Sequence, residues 1–351
     1  MGNEDPVSFD NSGDWFMKIA MLRGPRDLQI EERELDGTFL EAKQIHVQTE
    51  ITALKIGTDR GNYEGAEQVP GAPDYPRWVG DSNLGVVRGV GSAVTRFQVG
   101  DRVVGNVPHQ SEYLANEEDA LARVPDNVDS EDAVFAWLYA LSSLCFRKAG
   151  FEPGERVAVV GLGVLGLGAV ALGPALGARI VGLGNSPVRM QMATRMGAQA
   201  VFDSNDANLP EHLSEWSGGD GIDLVIQTAN PWPAYQTAVE VVRPGGRVAI
   251  VALPGRGEAP LEFNPLDMKW FYQKGISLIA VSGAAADRFP DRGLRFNRHR
   301  ECQFVLDLMS DGKLCPSRLV THRFPYTQMS TAYEMAFERE KEMLGVIFRW
   351  S

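Results

Sequence analysis

A run of glycines set between an apolar stretch and a helical one constrains this chain more than any other feature. Gly161-Leu162-Gly163-Val164-Leu165-Gly166 follows the short apolar run 156–160 and leads into small and aliphatic residues at helical spacing, Leu165, Val170, Leu172 and Leu176. In the order strand, tight turn, helix, each glycine has a task. The first makes the turn, the second lets an anion approach the backbone, and the third lets helix and strand pack closely, leaving a pyrophosphate at the helix N-terminus. The spacing alone is a weak signal, and its setting strengthens it. Further short apolar runs at 178–183, 200–202, 222–226, 247–251 and 276–281 alternate with helical stretches. This alternation predicts an α/β fold with a doubly wound, parallel sheet of six strands, the count of a complete dinucleotide-binding Rossmann domain.

That domain does not account for the whole chain. At 351 residues there is enough sequence for two cores. Residues 1–16 are polar and rich in Gly, Asp and Asn and read as a disordered extension, or as the product of an upstream start codon; Met17–Leu22 reads as the first strand. From there to residue 151, short alternating runs such as Gln44–Thr49 and Leu84–Val87 are separated by Gly, Pro and Asp turns, the pattern of a β-rich domain. Ser130 to Ala149 reads as mostly helical, with Ser130 as its cap. The predicted division is a β-rich domain over 17–151 and 285–351 around a nucleotide-binding domain over 152–284. Gly283 to Arg300 reads as a loop, followed by helices at 302–309 and 329–338 and a last strand at 345–350.

A net charge of -12 argues against nucleic-acid or anionic-membrane partners, since either needs a basic face. No run of 18 or more apolar residues and no secretory signal is visible, so the cytoplasm is the expected compartment. The three cysteines, Cys145, Cys302 and Cys315, are too far apart for a disulfide framework or a zinc knuckle. Cys145, in an apolar segment, reads as a small hydrophobe.

From Met17 to Trp350 the chain resembles the medium-chain dehydrogenase/reductase superfamily. The landmarks are the Gly57-Thr58-Asp59 turn, Gly100-Asp101-Arg102-Val103, Pro153-Gly154-Glu155-Arg156-Val157 before the glycine turn, Arg243-Pro244-Gly245-Gly246-Arg247 and Phe324-Pro325. The resemblance implies a GroES-like, β-rich catalytic domain folded from both chain ends, a central Rossmann domain, a small-molecule substrate and a homodimer joined through the sixth strand. Zinc-containing members carry a Cys before the first of these turns and Gly-His-Glu before a Gly-Val-Val strand. Here Ile56 and Gly80-Asp81-Ser82 stand in those places, and the four-cysteine structural lobe is absent. Asp81 alone cannot hold a metal that takes about three protein ligands, so no zinc is expected. Ala53–Gly65, Tyr75-Pro76, Gly80 and Ser82-Asn83 look closest to the zinc-lacking branch typified by bacteriochlorophyllide a dehydrogenase-like proteins, from which Asp81 departs.

The second nucleotide strand ends Leu183-Gly184-Asn185-Ser186 without the carboxylate that would hydrogen-bond an adenosine ribose, and Arg189 follows. A guanidinium fork suits a 2′-phosphate, which favours NADP over NAD. The resemblance places Thr228, Ala229 and Asn230 beside the adenosine or ribose portion. It makes Ala252, Leu253, Val281 and Ser282 walls of the nicotinamide pocket.

Without zinc, a side chain must carry the proton that accompanies hydride movement. Thr58 matches a hydroxyl that relays protons in zinc members, and Asp81 occupies the lost His position. His109 and Lys55 are the other titratable candidates, with the polar segment 108–112 reading as exposed and Lys55 as a strand end able to stabilise an oxyanion. Tyr63, Trp78, Trp137 and Tyr139 are candidates for a pocket wall, with core packing the simpler account. His46, His212, His299 and His322 show no metal spacing. The resulting expectation is a zinc-independent, NADP(H)-dependent oxidoreductase interconverting an alcohol and a carbonyl. The alternatives are a quinone or enoyl reductase of the same superfamily and a non-catalytic NADP(H)-binding sensor.

Overall fold

The computed structural model describes residues 15–35, 40–65, 74–255, 258–259, 264, 266–282 and 296–350. The β-rich half begins with strands β1 (Trp15–Gly24), β2 (Asp27–Leu35) and β3 (Gln44–Ala53), then helix α1 (Ile56–Glu64). Strands β4 (Arg77–Trp78), β5 (Asn83–Val90), β6 (Arg102–Gly105), β7 (Glu112–Asn116) and β8 (Leu121–Arg123) follow, and helices α2 (Ser130–Ala133) and α3 (Ala136–Lys148) lead out of it. The first strand starts at Trp15, two residues before the expected Met17, and residues 1–14 of the expected extension lie outside the described residues. Along β3, Ile45, Val47, Thr49 and Ile51 are buried at every second position, the period of a strand with one face on a core. The cap of α2 differs from expectation. The Asp129 side chain, not Ser130, accepts from Glu131 N at 2.8 Å, because Asp129 is the residue held extended there, with ψ at 144°.

The central half alternates β9 (Arg156–Val160), α4 (Val164–Leu176), β10 (Arg179–Gly184), α5 (Pro187–Arg195), β11 (Ala200–Asp203), α6 (Leu209–Ser217), β12 (Ile222–Gln227), α7 (Trp232–Val241), β13 (Val242–Ile250) and β14 (Ser277–Ala280). All six strands pair in parallel in the order β11-β10-β9-β12-β13-β14. This is the predicted doubly wound sheet. Its strands are apolar on both faces because helices cover both, and Val157 to Val160 are all buried. The order reverses between β9 and β12, which opens a crevice at their carboxyl ends.

The chain then returns to the β-rich half through α8 (Arg298–Ser310), β15 (Val320–Pro325), α9 (Met329–Phe337) and β16 (Gly345–Arg349). The expected loop 283–300 falls largely outside the described residues, as does the domain boundary at 285, and its last three residues are already helical. β16 inserts between β15 and β3, so one seven-stranded sheet is built from both sides of the nucleotide-binding half. Helices α3 and α8 are fastened by fully buried Glu301, which accepts from Ser143 Oγ at 2.7 Å and pairs with Arg147 Nε. No helix among the described residues is long and apolar enough to cross a membrane.

Candidate active site

The glycine turn does what its spacing predicts. Gly161 leaves β9 with φ at +93°, and a Cβ there would stand 2.7 Å from Ala229 Cβ. Gly166 lies so close beneath the turn that its Cβ would meet Gly161 O at 1.8 Å. Around Gly163 nothing comes within 4 Å. Thr228, just past β12, locks the turn by donating to Gly161 O at 2.8 Å. The middle glycine thus borders open space at the N-terminus of α4, the room and the dipole that a pyrophosphate needs.

That space belongs to a cleft of 1720 Å³ between the two halves. Its wall includes Gly161, Gly163, Val164 and Leu165, then Gly184, Asn185, Ser186 and Arg189 after β10. Thr228, Ala229 and Asn230 after β12, Ala252 and Leu253 after β13, and Val281 and Ser282 after β14 complete that side. Gly166 sits behind the turn and is not part of the wall. Asn230 ties two of these segments together, its Oδ1 accepting from Leu253 N at 3.1 Å and its carbonyl from Gly255 N at 2.7 Å.

At the β10 end, Ser186 begins α5 with no side-chain capping bond, which leaves its hydroxyl available. Arg189 is half-buried, and burial followed by the nearby Arg60 holds its pKa below the usual value. Burial also lowers Arg60, with Arg339 adding to the effect and Glu64 opposing it. All three guanidiniums line the cleft, and among the described residues the only carboxylate within 4.0 Å of any of them is Glu64, 3.9 Å from Arg60 Nε. Concentrated positive charge of this kind favours a phosphate.

At the other end, Lys55 leaves β3 and precedes α1, whose first turn carries Thr58. Lys55 Nζ pairs with Asp81 Oδ2; the two side chains are 16% and 21% exposed, and both line the cleft with Thr58. Beneath them Asp59 is buried and its Oδ2 accepts from Lys55 N at 2.9 Å. Burial, and then the Asp81 charge, push the Asp59 carboxyl up to about 7 against the opposing pull of Lys55. Burial acts on Asp81 in the same direction, but Lys55, with Arg298 and His109, outweighs it and holds that carboxyl below its ordinary value. Arg298 also lines the cleft, its guanidinium 4.2 Å above the Trp137 ring.

His109 is placed elsewhere. It is fully buried, not exposed as its polar segment suggests, and it is not among the residues of the cleft wall. A Cβ on Gly80 would stand 2.6 Å from its ring, which packs edge-on to Phe348 with centroids 5.2 Å apart. Neither ring nitrogen has a hydrogen-bond partner among the described residues, and burial depresses its pKa to about 4. An imidazole so held is neutral at physiological pH and off the path to the cleft. Of the four aromatic candidates, Tyr63, Trp137 and Tyr139 are core residues; Trp78, 46% exposed, lines the cleft.

Residues 164–296 match the family model described as zinc-binding dehydrogenase. Sorbitol dehydrogenase of Bacillus subtilis is 24% identical across 94% of this chain and 96% of its own length. The chain is similar to oxidoreductases of the medium-chain dehydrogenase superfamily. L-galactonate-5-dehydrogenase of Escherichia coli is 30% identical over 63% of this chain and 60% of its own length. The fold of L-idonate 5-dehydrogenase from Escherichia coli superposes with a TM-score of 0.79 at 18% identity, covering 96% of this chain and 99% of that one. The segment matched by the family model lies mostly in the nucleotide-binding half; positions 56, 81 and 82 lie outside it.

Sequence reasoning missed Arg60, Arg298 and Arg339. Each reaches the cleft from an element remote in sequence from the cofactor motifs, and nothing local marks it. Asp59 was visible in the Gly57-Thr58-Asp59 turn, but its burial is a tertiary property.

Proposed function

We propose that this protein is a medium-chain dehydrogenase, a zinc-independent, NADP(H)-preferring oxidoreductase that interconverts an alcohol and a carbonyl, of the bacteriochlorophyllide a dehydrogenase-like branch. The observation that carries this reading is the Lys55–Asp81 ion pair at the end of the cleft where the resemblance puts metal ligands. A catalytic zinc takes about three protein ligands. Here Ile56 offers hydrocarbon, Ser82 donates its hydroxyl to Val134 O at 2.5 Å, and Asp81 is occupied by an ammonium. No group of three His, Cys, Asp or Glu is assembled among the described residues. This donor set does not suit zinc.

It suits a dinucleotide. The open face of Gly163 would take the pyrophosphate, Arg189 with Asn185 and Ser186 the 2′-phosphate, and Ala252, Leu253, Val281 and Ser282 would flank the nicotinamide. When bound, the reduced cofactor supplies a hydride. Thr58 offers a hydroxyl to the substrate oxygen, and Asp81 keeps a charged partner beside it. The names of the relatives, sorbitol, L-galactonate and L-idonate dehydrogenases, support a small hydroxyl-bearing substrate. The reading includes a cytoplasmic homodimer joined through β14, the edge strand of the six-stranded sheet.

Fluorescence titration with NADPH and NADH tests the cofactor assignment. NADPH binds at least about tenfold more tightly, and Arg189→Gln removes the difference; tighter binding of NADH by the native chain overturns it. Turnover of ketones and aldehydes survives dialysis against a chelator, and activity restored only by added zinc would defeat the metal-free reading. Reduction of enones alone transfers the protein to the quinone or enoyl reductases. Cofactor binding with no turnover of either panel transfers it to the sensors.

A further inference from the structure

We infer that the Lys55 ammonium is the group that polarises the substrate oxygen and exchanges a proton with it, a cationic side chain acting at the site where relatives use a metal. The inference rests on the alcohol–carbonyl reading above.

Three observations support it. The first is position: Lys55 lines the cleft beside Thr58, and its Nζ is fixed by Asp81 rather than left to wander on a flexible stem. An ammonium has three donors, and the pair with Asp81 occupies one of them, so a substrate oxygen can be received without breaking the pair. The second is charge. Lys55 and Arg298 both line this end of the cleft with Asp81, and Asp59 belongs to the same wall, buried and accepting from Lys55 N. The two cations favour the negative charge that develops on oxygen as hydride reaches a carbonyl carbon. The third is elimination. Thr58 is too weak an acid to supply the proton unaided, and His109 lies off the cleft wall. A guanidinium such as that of Arg298 holds its protons too tightly to give one up.

In the reductive direction the carbonyl carbon gains a hydride from reduced nicotinamide. The C=O π pair moves onto oxygen, which takes a proton from Nζ, and a neutral amine is left beside Asp81. Solvent reprotonates the amine. In the oxidative direction the amine takes the hydroxyl proton as hydride leaves the carbinol carbon for oxidised nicotinamide. The charge and atom balance closes in both directions with the nicotinamide cofactor and one proton, exchanged with solvent through Lys55, as the only co-reactants.

The test begins with native protein, NADPH and a panel of aldehydes and ketones, which probes the parent reading by itself. For the best of these substrates, Lys55→Ala lowers kcat about 10²–10⁴-fold while NADPH affinity changes little, and methylammonium or ethylammonium ions restore turnover in a saturable way. Lys55→Arg retains the ion pair and the fold and still loses about as much turnover, because a guanidinium is not an effective acid at neutral pH. Full activity in Lys55→Arg, or a Lys55→Ala enzyme that is folded and inactive but not rescued by any amine, overturns the donor role. A readout independent of turnover is calorimetric binding of acetate, a small oxyanion, to the NADP⁺ complex. It weakens about tenfold or more in Lys55→Met. Equal acetate affinity in the native and Lys55→Met proteins overturns the inference even if the carbonyl panel is turned over.

Discussion

Burial moves Asp59 and His109 in opposite directions, and the two displacements meet in one pH window. Asp59 keeps its proton in the folded chain up to about 7, against an ordinary value of 3.8. The stability it contributes is therefore complete below 3.8 and is lost as pH rises through about 7. His109 remains neutral in the folded chain down to about 4, against 6.5 when unfolded, so its contribution is present above 6.5 and is lost as pH falls toward 4. Between about 4 and 6.5 the folded state holds one extra proton on Asp59 and lacks one on His109, so the two slopes cancel. Urea melts across this window should separate them. Asp59→Asn leaves a stability that rises with pH, and His109→Phe one that falls with pH, each by about 1.4 kcal/mol per pH unit. A variant whose profile parallels that of the native chain would show that its residue titrates normally. Asp81→Asn, which keeps the shape of the cleft but deprives Lys55 of its charge partner, should reduce kcat about a hundredfold or more with little change in NADPH affinity, measured by steady-state kinetics and titration. Little of this was visible beforehand. The segment around His109 is polar, and what buries the ring is remote: Ala20 N donates to His109 O and His109 N to Val79 O, each at 2.9 Å, clamping it between β1 and the end of β4.

The strand–turn–helix element at β9 and α4 separates packing from binding. Gly163 faces open space with φ at -81°, a backbone angle any residue adopts, whereas Gly166 has Gly161 O where its Cβ would be. Gly163→Ala should melt at the native temperature and bind NADPH more weakly, since the methyl enters the space a pyrophosphate needs. Gly166→Ala should lose both stability and binding, because α4 must move away from the turn. Thermal melts paired with fluorescence titration distinguish these outcomes, and equal effects on both readouts for Gly163→Ala would show that the open space is not a phosphate cradle. Elements of this kind were the most legible part of the chain: the glycine spacing and all six parallel strands follow from local apolar runs and turn residues. The cap at Asp129 did not, because two good capping residues stand side by side and only the path of the chain selects between them.

At the scale of the whole molecule, polar groups as well as apolar ones join the two separate stretches of the β-rich half to each other and to the nucleotide-binding half. Glu301 on α8 is fully buried between Ser143 and Arg147 of α3, and Arg247 of β13 donates to the carbonyls of Ala149 and Gly150 just beyond that helix, at 3.1 and 2.9 Å. Glu301→Ala leaves the Arg147 guanidinium without its partner and should cost about 3–5 kcal/mol in a denaturant melt, with Arg147→Met added to it recovering part of the loss. No recovery in the double variant would mean that the loss comes from the vacated volume. The two-part architecture was legible from the position of the glycine turn in mid-chain. The composition of the cleft was not, since Arg60, Arg298 and Arg339 reach it only once α1, α8 and the end of α9 have packed. The insertion of β16 between β15 and β3, with Val346, Ile347 and Phe348 fully buried, has a further consequence in time. A ribosome delivers the nucleotide-binding half whole, while the β-rich half is begun before it and must wait for β16. During synthesis the nascent chain therefore carries the Ile51–Ala53 end of β3 without its β16 partner, and the half that binds cofactor is finished before the half that would close over the substrate.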